Sequence, residues 1–193
     1  FSTNAGSENL TFNVIDTQIG AVTNSGRVIF EDIRVYEGTY LTNKFTKDTS
    51  EYNQKFVIDN PNVDSSTIRV EVQENPNNLT TISYSLSTNL VEIGPSSNVF
   101  WLEEVNGGKY ELTFGDGLFG KSISNGSVIN VTYLVTNGSA GNGITGTSNM
   151  TFIGKTTDES GVVITERPTV TSLTQTIGGA EIEDIASIKF RAP

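Results

Sequence analysis

The sequence predicts a mainly β fold, an antiparallel β-sandwich or open barrel with flanking segments and one short C-terminal helix. Three observations carry that expectation. Apolar and polar residues alternate over many short runs, Asn-Gly and Pro signals separate those runs, and helical spacing is confined to one stretch near the C-terminus.

The cleanest alternation is Thr67-Ile-Arg-Val-Glu-Val-Gln73, in which Ile68, Val70 and Val72 face one way and Arg69, Glu71 and Gln73 the other. Half-buried strands read this way. Less regular runs of the same kind cover residues 10–15, 28–36, 55–59, 79–86, 98–105, 109–114, 127–136, 149–153, 161–165 and 169–176. Asn106-Gly107-Gly108, Asn125-Gly126 and Asn137-Gly138 fall between runs, where Asn-Gly favours turns with positive φ. Asn60-Pro61, Asn75-Pro76 and Gly94-Pro95 end others, because proline cannot donate to a ladder.

The helix is expected after Gly178-Gly179, over Glu181 to Phe190. Glu181, Glu183 and Asp184 fall in its first turn and Lys189 and Arg191 at its far end, which suits the macrodipole. Ile182, Ile185 and Ile188 form an apolar stripe, so the helix is a candidate docking element. At about ten residues it needs a partner surface to be stable. The polar, glycine-rich stretch 135–149 is the best boundary. The expected organisation is an N-terminal flank over 1–24, a β-sandwich-like domain over 25–140 with a glycine-rich hairpin, and a C-terminal flank over 141–193. No internal repeat interrupts it.

Composition narrows the chemistry. The 193 residues carry Lys+Arg 12 against Asp+Glu 22, a net charge of -10, with no basic block, so neither nucleic acid nor an anionic membrane is an expected partner. Cys and His are both absent from the chain. Disulfides, thiolate nucleophiles and Cys-type zinc sites are thereby excluded, and so is the commonest general base. No run of apolar residues is long enough for a transmembrane helix. A start on Phe1 and an end on Arg191-Ala192-Pro193 suggest a fragment of a longer chain.

The most specific stretch is 110–133, with Gly115, Gly117, Gly120 and Gly126 between two apolar segments. These glycines and Asp116 are expected to shape a structural turn. The letters Gly115-Asp-Gly-Leu-Phe-Gly120-Lys121-Ser122 also satisfy the phosphate-loop pattern. Their context does not, because a phosphate loop leads into a helix, whereas Ser122-Ile-Ser-Asn-Gly126 breaks and runs into a strand pattern. Glu103-Glu104 and Asp158-Glu159 are adjacent carboxylates that a strand points to opposite faces, so neither pair is a preorganised dyad. No Asp-x-Asp-x-Asp calcium loop occurs, and Asp116 is expected to bond its own turn. The lone Trp101 is expected in the core.

Residues 110–133, continued by Leu-Val-Thr136-Asn-Gly138-Ser-Ala-Gly141-Asn142, resemble the signature of the baseplate J-like family of contractile phage tails. That family reads approximately Phe-Gly-Asp-Gly, a further Gly, a Gly before a strand, then Tyr, Thr, Gly and Gly-Asn. Gly115-Asp116-Gly117, Gly120, Gly126, Tyr133, Thr136, Gly138 and Gly141-Asn142 occupy those places. Gly178-Gly179-Ala-Glu181, leading to Arg191-Ala192-Pro193, is similar to the family's Gly-Gly segment, short helix and Ala-Pro. Val35-Tyr-Glu-Gly38 and the segment from Asn60 to Val72 resemble its wedge proteins. The resemblance implies a non-enzymatic subunit of a virion's tail baseplate, assembled in the host cytoplasm. It would join neighbouring wedge subunits into a ring, form a homodimer in the full-length protein, and need no catalytic residue, cofactor or metal. The alternative is a carbohydrate-binding or adhesive β-sandwich module of an exported or tail-fibre protein, for which Trp101 or several Tyr would have to share an open face.

Overall fold

The computed structural model describes residues 1–5, 8–51, 54–89, 92–145 and 150–181. Within them the chain is mainly β, and it divides into two compact units: Tyr40–Val135, and a second formed jointly by Phe1–Thr39 and Thr136–Pro193. Five strands open the chain: β1 (Ser2–Ala5), β2 (Glu8–Asn13), β3 (Ala21–Val22), β4 (Val28–Ile29) and β5 (Tyr36–Glu37). Next come β6 (Thr39–Thr46), β7 (Phe56–Ile58), β8 (Val63–Gln73), β9 (Ile82–Leu86), β10 (Val99–Val105), β11 (Lys109–Phe114) and β12 (Val128–Val135). A 3-10 turn at Gly138–Gly141 precedes the short strands β13 (Thr156–Thr157) and β14 (Val163–Ile164).

Strands β6 to β12 form one seven-stranded sheet in the order β6-β12-β8-β9-β10-β11-β7. All seven contribute to a single apolar cluster, from Phe45 and Phe56 through Val70, Tyr84 and Phe100 to Ile129 and Tyr133. The edges of the sheet meet, because Phe45 on β6 and Phe56 on β7 stack edge to face with ring centroids 5.6 Å apart. The architecture is therefore a nearly closed barrel, the open-barrel form of the predicted fold. Strand β12 lies between two neighbours and buries Val128, Ile129, Val131, Tyr133 and Leu134, so it reads as an almost continuous apolar run.

The alternation of β8 holds for Ile68, Val70 and Val72, which are buried, and for Arg69 and Glu71, which are exposed. Gln73 departs from it. The side chain is buried because its amide donates to the carbonyls of Asn75 and Pro76 at 3.1 and 3.2 Å, capping the turn that ends the strand. Strand β6 carries little alternation because nearly all its side chains are exposed or half-buried. The pairing of β10 with β9 is parallel, whereas β8 with β9, β8 with β12, β10 with β11 and β11 with β7 are antiparallel.

The other unit has its own small core of Leu10, Phe12, Ile144 and Met150, with Phe1, Val35 and Val170 packed on it. Sheet β1-β2-β5 supplies part of that core. Pairs β3–β4 and β13–β14 are two-stranded ribbons. Residues 169–176 form no strand; Thr176 is instead tied by its backbone to Gly143 and Ile144 at 2.9 and 3.0 Å.

Candidate functional site

The glycine-rich run folds as a tight turn after β11. The Gly117 N–H donates to the Gly120 carbonyl at 3.0 Å, and the N–H groups of Leu118 and Phe119 both donate to Asp116 Oδ1, at 2.8 and 2.9 Å. Gly117 and Gly120 hold φ values of 93° and 81°, which a side chain adopts only with strain. The Gly120 N–H reaches the Gly94 carbonyl at 3.2 Å, and the Lys121 N–H reaches that of Ser97 at 2.8 Å. Gly126 belongs to a different turn, just before β12, where its φ is 78° and its N–H bonds to the Lys47 carbonyl at 2.8 Å.

This arrangement answers the phosphate-loop pattern chemically. An anion site needs several N–H groups converging on open space. Here the N–H groups of residues 117–121 all have partners inside the protein, and the carboxylate of Asp116 takes the place a phosphate would occupy. The Lys121 ammonium is paired with Glu74, whose hydrogen bond raises the lysine pKa. Residues 121–127 contain no helix. Phosphate binding therefore has neither donors nor a dipole at this turn.

The Asp116 carboxyl is held below the ordinary carboxylate range by the N–H groups of Phe119 and Leu118. Asp48 and Glu181 are shifted the same way, chiefly by the hydroxyls of Ser50 and Ser139. A folded pKa below the unfolded one gives stability that is present above the ordinary carboxylate pKa of about 4 and is lost as pH falls through the folded value. Asp116→Asn is thus expected to lose less melting temperature than the native chain between neutral pH and about pH 3. Circular dichroism melts across that range measure it, and superimposable profiles would remove the charged cap at Asp116.

A second constellation gathers segments far apart in the sequence. Glu37, in β5, accepts from the Asn137 N–H at 2.9 Å and from Asn137 Nδ2 at 2.7 Å. Asn142 closes a reciprocal pair with Gly179, donating from Nδ2 to its carbonyl at 2.8 Å and accepting its N–H at 2.9 Å. Glu181 Oε1 accepts from Ser139 Oγ at 2.6 Å and from its N–H at 3.2 Å. Thr176 Oγ1 donates to the Gly141 carbonyl at 2.7 Å and accepts the Ile144 N–H at 2.9 Å. A side chain at Gly179 would collide with the carbonyl oxygen of Gly138. The residues are named in the sequence as separate motifs; their mutual bonding, across 100 positions for Glu37 and Asn137, had no local signal.

Trp101 is not in the core, contrary to expectation. Adjacent strand residues point to opposite faces. Phe100 takes the inner one and is 1% exposed, which sends Trp101 outward, where it is half-buried beside Gly120. There it lines an open groove of about 890 Å³, together with Leu102, Glu103, Glu104, Tyr110 and Phe119. Glu103 and Glu104 belong to successive positions of β10 and form no dyad. Among the described residues no group of three or more His, Cys, Asp or Glu could hold a metal ion. Ile182, Ile185 and Ile188, the expected docking stripe, lie outside the described residues.

No protein-family model matches this chain, and no curated protein matches it.

Proposed function

We propose that this chain is a non-enzymatic structural part of a contractile phage tail baseplate, joining wedge subunits into a ring. What supports the reading is the convergence of Tyr36-Glu37-Gly38, Asn137 to Asn142 and Gly178 to Glu181 in one hydrogen-bonded junction. These are among the segments through which the sequence resembles the baseplate J-like family. Bonding and close packing use their Glu, Asn and Gly to fix backbone paths, which is the demand a connector makes.

Uncovered apolar surface supports it too. Ile19, Val22, Val28 and Ile29 beside or on β3–β4, and Val162, Val163 and Ile164 on β13–β14, are exposed, Ile19 at 91%. Two-stranded ribbons are marginal by themselves, and such apolar residues mark surfaces for neighbours. Neighbouring wedge subunits, and a second copy of the full-length chain, are the partners proposed; the site of action is the virion's baseplate, and no cofactor, metal or nucleic acid is called for. Mixing the chain with purified tail-wedge components should give a heavier species by sedimentation velocity. Unchanged sedimentation with every component would sink the reading.

The half-buried Trp101 in an open groove with Tyr110 favours the second reading, a carbohydrate-binding module. Titration of Trp101 fluorescence with oligosaccharides separates the two, since a saturable shift belongs only to the sugar site.

A further inference from the structure

The ladder through β9 stops short of its neighbours. Strand β9 pairs with β8 at Val70↔Tyr84, Glu71↔Ser83 and Val72↔Ile82, and with β10 only at Val99↔Ser85 and Phe100↔Leu86. Strand β10 runs on to Val105, paired all the way with β11 on its other side. On the β9 side the carbonyls of Asn98 and Phe100 accept from Ser85 and Ser87 at 3.0 and 2.9 Å. Alternate residues of a strand bond to opposite neighbours. Leu102 and Glu104 are therefore the next residues to present N–H and C=O groups from that edge.

The groove lies against this edge, with Ser65 and Ser66 of β8 on its far wall. Strand β8 is irregular here: its register with β12 jumps from Thr132↔Arg69 to Leu134↔Asp64, so that residues 65–68 stand against Tyr133 alone, with Ser66 exposed, Ser65 half-buried, and Thr67 and Ile68 turned into the core. The bulge is held by its own residues and by β12: Asp64 Oδ1 accepts from the Ser66 N–H and hydroxyl at 3.0 and 2.7 Å, while Thr67 Oγ1 donates to the Asp64 carbonyl at 2.7 Å and accepts the Leu134 N–H at 3.0 Å. Among the described residues, what remains between the bulge and β10 is a slot that opens past Ser87 and Thr88, which line its near end. Open strand edges accept a further strand by main-chain hydrogen bonding.

Charge selects the occupant. Among the described residues no Lys or Arg lines the groove, whereas Glu103 and Glu104 do. Glu103 stands directly opposite Glu111 across the β10–β11 ladder, an arrangement that is unfavourable for like charges. Lys55 neutralises Glu111 at 2.8 Å, but among the described residues no cation pairs with Glu103 or Glu104. In a chain of net charge -10 these carboxylates repel another copy of the same edge and attract a basic one. We propose that the Leu102–Glu104 edge of β10 is a docking site for an extended, basic segment of a protein partner, added to the sheet as a strand. Its apolar side chains would cover the half-buried Leu102, Tyr110 and Phe114, and its cations would meet Glu103 and Glu104.

The test uses the whole chain, isotope-labelled, titrated with the peptide acetyl-Thr-Val-Thr-Val-Lys-Lys-amide, whose two Lys fall on opposite faces of an extended strand as Glu103 and Glu104 do, and followed by amide hydrogen exchange and Trp101 fluorescence. Exchange at Leu102 and Glu104 should slow about tenfold or more on saturation, while Trp101 and Glu103, which face β11, stay unchanged. Replacing both Lys of the peptide by Glu should weaken binding about tenfold or more, and Glu103→Lys with Glu104→Lys in the chain should reverse that preference. Both positions are exposed, so the double variant is expected to keep its fold. Leu102 and Glu104 amides that are already protected without peptide, equal binding of the two peptides, protection confined to other strands, or a response to oligosaccharide alone would each overturn the proposal. No wedge component enters these measurements, so the result stands apart from the baseplate reading.

Discussion

Gly115→Ala is expected to destabilise the Tyr40–Val135 unit by about 3 kcal/mol, the upper range for forcing extra atoms into a well-packed site. A Cβ on Gly115 would collide with the carbonyl group of Gly120 and lie 2.6 Å from its Cα. All three atoms are backbone, held by the Gly117 N–H to Gly120 carbonyl bond and by the bond from Gly120 to Gly94, so no rotamer change relieves the clash. Relief requires opening the turn, which exposes the N–H groups that Asp116 now satisfies. Gly126→Ala is the control. Its φ of 78° is also unfavourable to alanine, but nothing lies within 4 Å of its added methyl, so only the conformational cost of about 1 kcal/mol applies. Trp101, the only tryptophan, reports on this unit in urea unfolding. The midpoint for Gly115→Ala should fall by on the order of 1 M or more, and that for Gly126→Ala by a fraction of it. Equal shifts would show that positive φ, not close approach, is what the glycines of this run supply.

The contrast explains how the two glycines could be read in the sequence. Both were legible as turn residues, because Gly-Asp-Gly and Asn-Gly carry local signals. That Gly115 is needed for space was not, because the atom it avoids belongs to a residue brought back by the turn itself. Strand β8 was legible wherever one face is buried and the other wet, at Ile68, Val70 and Val72, and illegible at Gln73, whose amide finds carbonyl partners in the following turn. Strand β6 left no alternation, having little to bury. The parallel step from β9 to β10 is invisible for another reason: strand direction depends on the path of the connection, not on side-chain period. The same holds for the junction of Glu37, Asn137, Asn142 and Gly179, each of which reads as an ordinary turn or strand-end residue until the chain brings them together.

Phe100 and Trp101 test the same logic with the larger expected effect. Neighbours on β10, they take opposite faces, and the sequence alone led Trp101 to be expected in the core. Phe100 is 1% exposed, sits across from Phe114 in the ladder, and belongs to the cluster that all seven strands of the barrel share. Phe100→Ala removes a whole ring from a site bounded by strands on every side, so little collapse can fill the void, and the expected loss is about 3–5 kcal/mol. Trp101 is larger but half-buried on the outer face, where its ring edge rests near Gly120 and one side opens to the groove. Trp101→Ala gives up part of that apolar area and creates no closed cavity, which sets its loss at about 1–2 kcal/mol. Circular dichroism is the probe for both, since the second variant has no tryptophan. Against a total stability of about 5–15 kcal/mol for a domain, the first change leaves the barrel marginal and the second leaves it folded. The reverse order of midpoints would place Trp101 in the barrel's interior and dissolve the outer groove on which the strand-docking edge depends.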